Sequence, residues 1–406
     1  MIIYVNGGMK MTNKTIWYLP LEDVKSRYTN QLCNSWIPDS ILTFKKDDTD
    51  FKVIKGETEQ KDIKVGQVLD ATGRGIFSLS QVINFLKEID KGNVKNNDVI
   101  YIQDFWTPGL EAIQYALDLY KLNDVKFYSM LHAQTVDEYD FTYPMRHWMR
   151  PIELGYDKLH SKGGIFVGSI IHKEQLREAG FTSPIHVVSL PIGLDEVTER
   201  MKPYEKNTEN AIVFSSRMDI EKYPDFMMDV AEAFLQKYID WKFYVTTSSK
   251  QLRGNSPEIL ERAKNLALKN NRFIIKENLT KDEYYEILCK CKIQLNTSLQ
   301  DYVSWTLLEA TTAGCDICYP NFRSFPEILP QDRMYKPWVI KSALKVIDDC
   351  INNPQTHYKI AEISNIGRLL EGYILNNGVD KEYNIWKDSE EVLELFKGAK
   401  NETLDR

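Results

Sequence analysis

The run Ile293-Gln294-Leu295-Asn296 is followed by Leu299-Gln300-Asp301-Tyr302-Val303-Ser304-Trp305-Thr306-Leu307-Leu308-Glu309-Ala310-Thr311-Thr312-Ala313-Gly314, and then by a second apolar run, Cys315–Tyr319. A short strand, a loop entering a helix and another strand form the repeating unit of a parallel sheet with crossover helices.

Outward from this unit the alternation continues in both directions. Before it come strand-like Ala211–Ser215, Lys242–Thr246 and Arg272–Ile275, with helical Pro224–Tyr238, Pro257–Leu268 and Tyr284–Lys290 between them. In the first half, Thr15–Tyr18, Lys52–Ile54, Val68–Asp70, Val99–Ile102, Lys126–Met130, Gly164–Gly168 and His186–Ser189 read as strands, and Leu79–Ile89 and Leu110–Tyr120 as helices. The predicted class is α/β, with two similar domains facing a cleft. The polar stretch Asp195–Asn210, without sustained apolar period, marks the boundary, so that 1–196 and 197–378 are the two domains and 379–406 a terminal helix and tail. Trp338–Asn352, Gln355–Tyr373 and Lys381–Phe396 read as helices, the last expected to cross back to the first domain.

Length agrees with this division: 406 residues at ~100–200 per domain exclude a single small module. Hydrophobic residues at 43% and charged residues at 27% exclude a mainly disordered chain. The longest apolar runs, such as Ile165–Ile171, are far shorter than the ~18–20 residues of a spanning helix, and the sequence predicts a soluble, cytoplasmic protein. Lys plus Arg is 51 against 58 for Asp plus Glu, a net charge of −7, which argues against broad coating of nucleic acid but leaves room for a local basic face. Six cysteines fit free thiols in a reducing compartment. Cys289, Cys291, Cys315 and Cys318 offer four thiolates for zinc, but their helix and strand settings favour a packing role. Asp48-Thr49-Asp50 imitates a paired-aspartate metal motif and reads as a solvated loop. No metal and no bound cofactor is expected.

The chemistry concentrates after two strands. Ala211–Phe214 runs into Ser215-Ser216-Arg217-Met218-Asp219-Ile220-Glu221-Lys222, which places a planar fork and a point charge at a strand end, a pair suited to a diphosphate. After Ile293–Asn296, the helix that follows presents free N–H groups to a phosphate. Asp301 and Glu309 put a carboxylate at each end of this segment, one fit for a sugar and one for a ribose.

The region from Ile212 to Phe396 resembles the nucleotide-binding domain of retaining glycosyltransferases of the GT-B fold, family-4-like. The shared pattern is an Arg and a Lys after the first strand, an acid, seven intervening residues, Glu-Ala, Gly, and Pro326-Glu327-Ile328. The chain departs in having Asp301 where the family usually has Glu and Ser304 where it has Gly. The resemblance implies that Arg217 and Lys222 hold the diphosphate and Glu309 the ribose. It implies likewise that Asp301 with Tyr302, Val303, Ser304, Trp305 and Thr306 meets the donor sugar.

The first half matches more loosely, because Pro20–Thr29 replaces the family's glycine-rich loop. His132, after strand Lys126–Met130, stands where family members carry a His facing the transferred sugar, and Asp104 is an acceptor-side candidate. His147, His160, His172, His186 and His357 read as packing residues. Tyr18–Glu22, Arg27–Thr29 and His132–Trp148 resemble a bacteriophage-encoded subgroup, in which Arg146, Trp148 and Arg150 would face DNA. The expectation is a retaining, metal-independent hexosyl- or pentosyltransferase. It would move sugar from a UDP-glucose-like donor to a hydroxymethylated pyrimidine in phage DNA. Its alternatives are a cytoplasmic enzyme of surface polysaccharide or glycolipid synthesis and a non-catalytic nucleotide-sugar binding protein. Stable membrane association is not expected.

Overall fold

A computed structural model describes residues 14–22, 28–59, 70–132, 134–364 and 366. Twelve strands alternate with helices: β1 Lys14–Leu19, β2 Thr49–Val53, β3 Val99–Ile102, β4 Lys126–Met130, β5 Gly164–Val167 and β6 Ile185–Val187, then β7 Ala211–Phe214, β8 Lys242–Thr246, β9 Phe273–Lys276, β10 Ile293–Leu295, β11 Asp316–Pro320 and β12 Met334–Tyr335. They form two six-stranded sheets, ordered β2-β1-β3-β4-β5-β6 and β12-β11-β10-β7-β8-β9. Every strand pair is parallel. The α/β class with two facing sheets is as expected.

Central strands such as β3 (Val-Ile-Tyr-Ile) and β7 (Ala-Ile-Val-Phe) are buried along their whole length, because helices cover both faces and leave no polar side to alternate with. One hydrophobic cluster fills the first sheet's layers and continues through Leu194, Val197, Leu288 and Leu307 to the near side of the second sheet. A second cluster lies between β7, β8 and helices Pro224–Lys237, Pro257–Lys269 and Ile340–Asn352.

Several expectations change in detail. The polar stretch after residue 194 contains a helix, Leu194–Met201, which buries Leu194, Val197 and Met201 on one face; eight residues are too few for that period to stand out among its charges. Asp70 belongs to no strand but caps helix Ala71–Asp90, its side chain accepting from Gly73 N at 3.1 Å. Residues 68 and 69 lie outside the described residues, as does the predicted helix Lys381–Phe396. A return to the first half nonetheless occurs earlier. After helix Tyr358–Ile363, Ser364 O accepts from Ile192 N, and Ile366 N donates to Ile192 O, both at 2.9 Å. Among the described residues no helix is long and apolar enough to cross a membrane.

Candidate functional site

In open parallel sheets a ligand crevice forms beyond the carboxyl ends of two strands where the strand order reverses. In the second sheet that point falls between β7 and β10, and the loops leaving these strands lie side by side. Leu299 N donates to Glu221 O at 2.8 Å, Thr297 Oγ1 to Lys222 O at 2.7 Å, and Lys222 Nζ to Gln300 O at 2.8 Å. Lys222 Nζ also lies 3.4 Å from Asp301 Oδ2. The topology therefore brings Arg217, Lys222 and Asp301 together, although 78 residues and more separate the two segments.

The cations are not waiting bare for an anion. Arg217 is paired with Asp219 at 2.5 Å and Glu221 at 2.9 Å, so any other anion on the guanidinium would have to replace these carboxylates. Burial raises the pKa of Asp301, and the neighbouring Lys222 opposes that rise. Helix Trp305–Ala313 begins at Ser304, which gives its first N–H groups no side-chain cap, and ends at Gly314, whose φ of +91° suits glycine. At the carboxyl end of β10, Asn296 Nδ2 and Ser298 Oγ are buried without a hydrogen-bond partner. Orphaned polar atoms of this kind cost ~1–3 kcal/mol each and mark a place where a polar ligand is welcome.

Glu309 sits one helix turn deeper, buried, and is held by Lys281 Nζ and by Tyr285 OH, which donates at 3.2 Å. Neither partner was singled out from sequence. Thr280 and Glu283 form a capping box that puts Lys281 at the start of helix Lys281–Lys290, and this was the legible signal for it.

The first sheet reverses its order between β1 and β3. Here Arg74 bridges Glu22 and Asp104, each at 2.9 Å, so Asp104 is half of a shared ion cluster rather than a free carboxylate. His132, leaving β4, has Nε2 3.2 Å from Gln103 Nε2, and burial lowers its pKa while Asp104 opposes the change. The His132 ring lies against Trp305 of the second half, with centroids 6.1 Å apart and planes at 23°. The two crevices thus meet: the expected His and the expected donor loop are neighbours.

Tyr302 departs from its expected role. Its side chain leaves the donor crevice and enters the first half, where its ring stacks on His172 at 3.9 Å and its hydroxyl lies 2.7 Å from Asp137 Oδ2. Val303 and Trp305 are likewise packed inward, with Trp305 Nε1 donating to Pro191 O at 3.3 Å. Thr306 bonds Ser304 Oγ through its hydroxyl at 2.7 Å. Of the residues expected at the sugar, Asp301 and the backbone of 302–306 remain at the crevice.

Glu327 also crosses between the halves. Its two oxygens accept from Ile170 N at 2.7 Å and Ile171 N at 2.8 Å, at the start of helix Ile170–Glu178. Burial pushes its pKa up from 4.5 to about 7, against the pull of those two N–H groups. A carboxyl with a raised folded-state pKa contributes stability that is complete below its unfolded value and is lost as pH rises through the folded one. Urea midpoints should therefore fall as pH rises from 4.5 to about 7, and Glu327→Gln should flatten that fall. An unchanged pH profile in the variant would contradict it.

The proposed acceptor strip is only partly available. Trp148 is 46% exposed and meets Trp106 edge-on at 6.1 Å, while Arg146 lies over the Tyr143 ring at 4.1 Å. Arg150 is turned inward: Nε donates to Thr135 Oγ1 at 2.7 Å and Nη2 to Thr135 O at 2.6 Å, with Glu153 at 3.4 Å. It braces the loop after His132 and does not reach toward a phosphate. The thiol quartet fails as a zinc site. All six cysteines are free and buried, and Cys315, just before β11, and Cys318, within it, point to different partners, Leu288 O and Ala343 O. Among the described residues no three His, Cys, Asp or Glu side chains converge as ligands.

No protein-family profile matches the chain. Two curated proteins are similar to parts of it, each at 24% identity. One is a subunit of the human phosphatidylinositol N-acetylglucosaminyltransferase, which matches over 37% of this chain and 30% of its own. The other is the Drosophila melanogaster tRNA-queuosine alpha-mannosyltransferase, with 30% and 32%. The chain spans about a third of the length of these relatives. Solved structures match nearly end to end. The E. coli trehalose-6-phosphate protein bound to UDP-2-fluoro glucose has a TM-score of 0.64 at 11% identity, over 91% of this chain and 100% of that one. Sucrose-phosphate synthase from Thermosynechococcus elongatus has 0.57 at 11%, over 96% and 98%. An Anabaena protein, HepE, in complex with UDP and glucose has 0.55 at 12%, over 94% and 99%. Two parallel six-stranded sheets facing across a crevice, aligned over almost the full length of these neighbours, give this chain the GT-B glycosyltransferase fold.

Proposed function

We propose that the protein is a retaining glycosyltransferase that moves a sugar from a nucleoside diphosphate sugar, UDP-glucose-like, to an acceptor hydroxyl. The observation that carries this reading is the meeting of His132 and the Asp301–Thr306 loop above the paired strand ends that hold Lys222 and Arg217. Structural neighbours bound to UDP or UDP-2-fluoro glucose support it.

In this reading the diphosphate displaces Asp219 and Glu221 from Arg217 and takes up Lys222 and the first N–H groups of helix Trp305–Ala313. Glu309, neutralised by Lys281, accepts from the ribose hydroxyls. The sugar lies between Asp301 and His132. The acceptor hydroxyl attacks the anomeric carbon on the face the phosphate leaves. As the bond from carbon to phosphate oxygen breaks, the bond to the acceptor oxygen forms, and the acceptor proton passes to the departing phosphate. Fixed cations and helix N–H groups stabilise the growing charge, and no metal is required.

The favoured acceptor is a hydroxymethylated pyrimidine in phage-type DNA, modified in the cytoplasm of the host cell. Exposed Arg146 and Trp148 supply a phosphate contact and a stacking face, and local similarity to a tRNA-queuosine mannosyltransferase adds a relative acting on nucleic acid. With Arg150 turned inward and a net charge of −7, binding should be modest and strongly weakened by salt. The test is mass spectrometry of nucleosides after incubating hydroxymethylated DNA, plain DNA, glycan and lipid acceptors with mixed nucleotide sugars, with and without EDTA. Sugar on the hydroxymethyl base alone, unaffected by EDTA, is the expected result. Transfer to a lipid or glycan only would place the enzyme in the glycolipid or polysaccharide class, in line with its similarity to the phosphatidylinositol N-acetylglucosaminyltransferase. Loss restored by magnesium or manganese would overturn metal independence. Nucleotide-sugar binding without release of nucleotide under any condition would make it a binding protein.

A further inference from the structure

Asp301 and Tyr302 are adjacent, yet their side chains part. Asp301 stays over the second sheet beside Lys222, while Tyr302 fills a socket in the first half made by Gln134, Asp137, His172 and Gln175. The Tyr302 hydroxyl has Asp137 Oδ2 at 2.7 Å and Gln175 Oε1 at 2.6 Å before its single proton, and accepts from Gln134 Nε2 at 3.2 Å. Asp137, 1% exposed, is held in turn by Arg323 of the second half at 3.1 Å. Under the ring, His172 is buried with neither nitrogen bonded, a flat apolar floor in this setting.

The backbone is as tightly fixed as the side chain. Gly168 touches the loop so closely that a Cβ there would stand 2.2 Å from Tyr302 O, which excludes any other residue. Val303 has φ of +105°, a strained conformation for a β-branched residue, which persists only where the surroundings over-determine it. Those surroundings are the socket on one side and the helix start at Ser304 on the other. Gln134 is two residues beyond His132, so the socket wall and the His132 loop are one piece of chain.

We propose that Tyr302 is a positioning residue: by docking in the first half it fixes the separation of Asp301 and His132, and with it the orientation of the transferred sugar, without taking part in nucleotide binding. This rests on the glycosyltransferase reading above. Geometry errors of this kind cost up to about 100-fold in rate when nothing is lost from binding.

Tyr302→Phe keeps the ring on His172 and removes only the hydroxyl. Expected is a fall in kcat of about 10- to 100-fold with nucleoside diphosphate affinity by calorimetry within about twofold of the parent. Asp137→Ala should repeat the effect, and the double variant should add little to either. A kcat within about threefold of the parent, or a parallel loss of nucleotide affinity, would overturn the proposal. If Tyr302→Phe does not fold, Gln175→Leu replaces it with the same split expected. If the parent turns over no nucleotide sugar, the functional reading fails, and amide exchange then decides the coupling. Faster exchange at both 299–306 and 134–137 in Tyr302→Phe supports it, and unchanged exchange at either segment refutes it.

Discussion

Lys222→Ala should remove nearly all turnover, by about 10²–10³-fold, the loss seen when one fixed donor to a developing negative charge is deleted. Lys222 is tied at once to the crevice wall through Gln300 O and to Asp301. Its loss would remove the proposed phosphate contact and leave a half-buried carboxyl without its cation. Burial already raises the Asp301 pKa against the pull of Lys222, and without that cation the group should rise further. Nucleotide release followed across pH, with calorimetry of nucleoside diphosphate binding, measures both effects. Arg217→Ala should lose less, since Asp219 and Glu221 already share that guanidinium. Turnover of Lys222→Ala within about threefold of the parent would move the diphosphate site elsewhere.

Arg333→Ala should destabilise the fold by about 3–5 kcal/mol, because it takes the arginine away from a buried carboxylate. Arg333 is 1% exposed and binds Asp316 Oδ1 at 2.8 Å and Asn353 O at 2.6 Å. Asp316, at the start of β11, also accepts from Gln355 N and pairs with His357 Nε2, both at 2.9 Å. Burial alone would raise the Asp316 pKa, but bonds from His357, Gln355 and Arg333 outweigh it and hold the carboxyl below its ordinary value. A depressed carboxyl contributes stability above its unfolded pKa and loses it as pH falls through the folded one, so the parent should weaken in acid through this group. Urea unfolding at neutral and acid pH provides the check. A neutral-pH loss under ~1 kcal/mol in the variant would show that the pair is replaceable.

Sequence periodicity located most strands, because parallel strands covered on both faces are continuous apolar runs such as Val99–Ile102 and Ala211–Phe214. It missed helices whose period was short or broken. Helix Ala71–Asp90 starts with Gly73 and Gly75, and only its later half, Leu79–Ile89, looked helical. Helix Leu194–Met201 was hidden among charges. The donor crevice was legible through Arg217, Lys222, Asp301 and Glu309, since these lie at strand ends and helix starts with fixed spacing. The partners that hold them were not. Lys281, Asp137 and Arg323 come from other elements, and their proximity is a product of strand order and domain contact. Tyr302 shows the limit most plainly: its neighbours along the chain predict a donor contact, while its neighbours in space place it in the opposite half.

Among the described residues, the pairing of Ile192 with Ser364 and Ile366 bonds two passages of the chain between the halves to each other. Two separate bridges would lock the halves against rotation, whereas one doubled strap acts as a single pivot. The contacts of Tyr302 and Glu327 with the first half are made by other segments of the chain. An opening swing would have to break these polar contacts and also part the hydrophobic cluster that the two halves share. The return of the chain is thus one strap among several contacts, polar and apolar, that join the two halves.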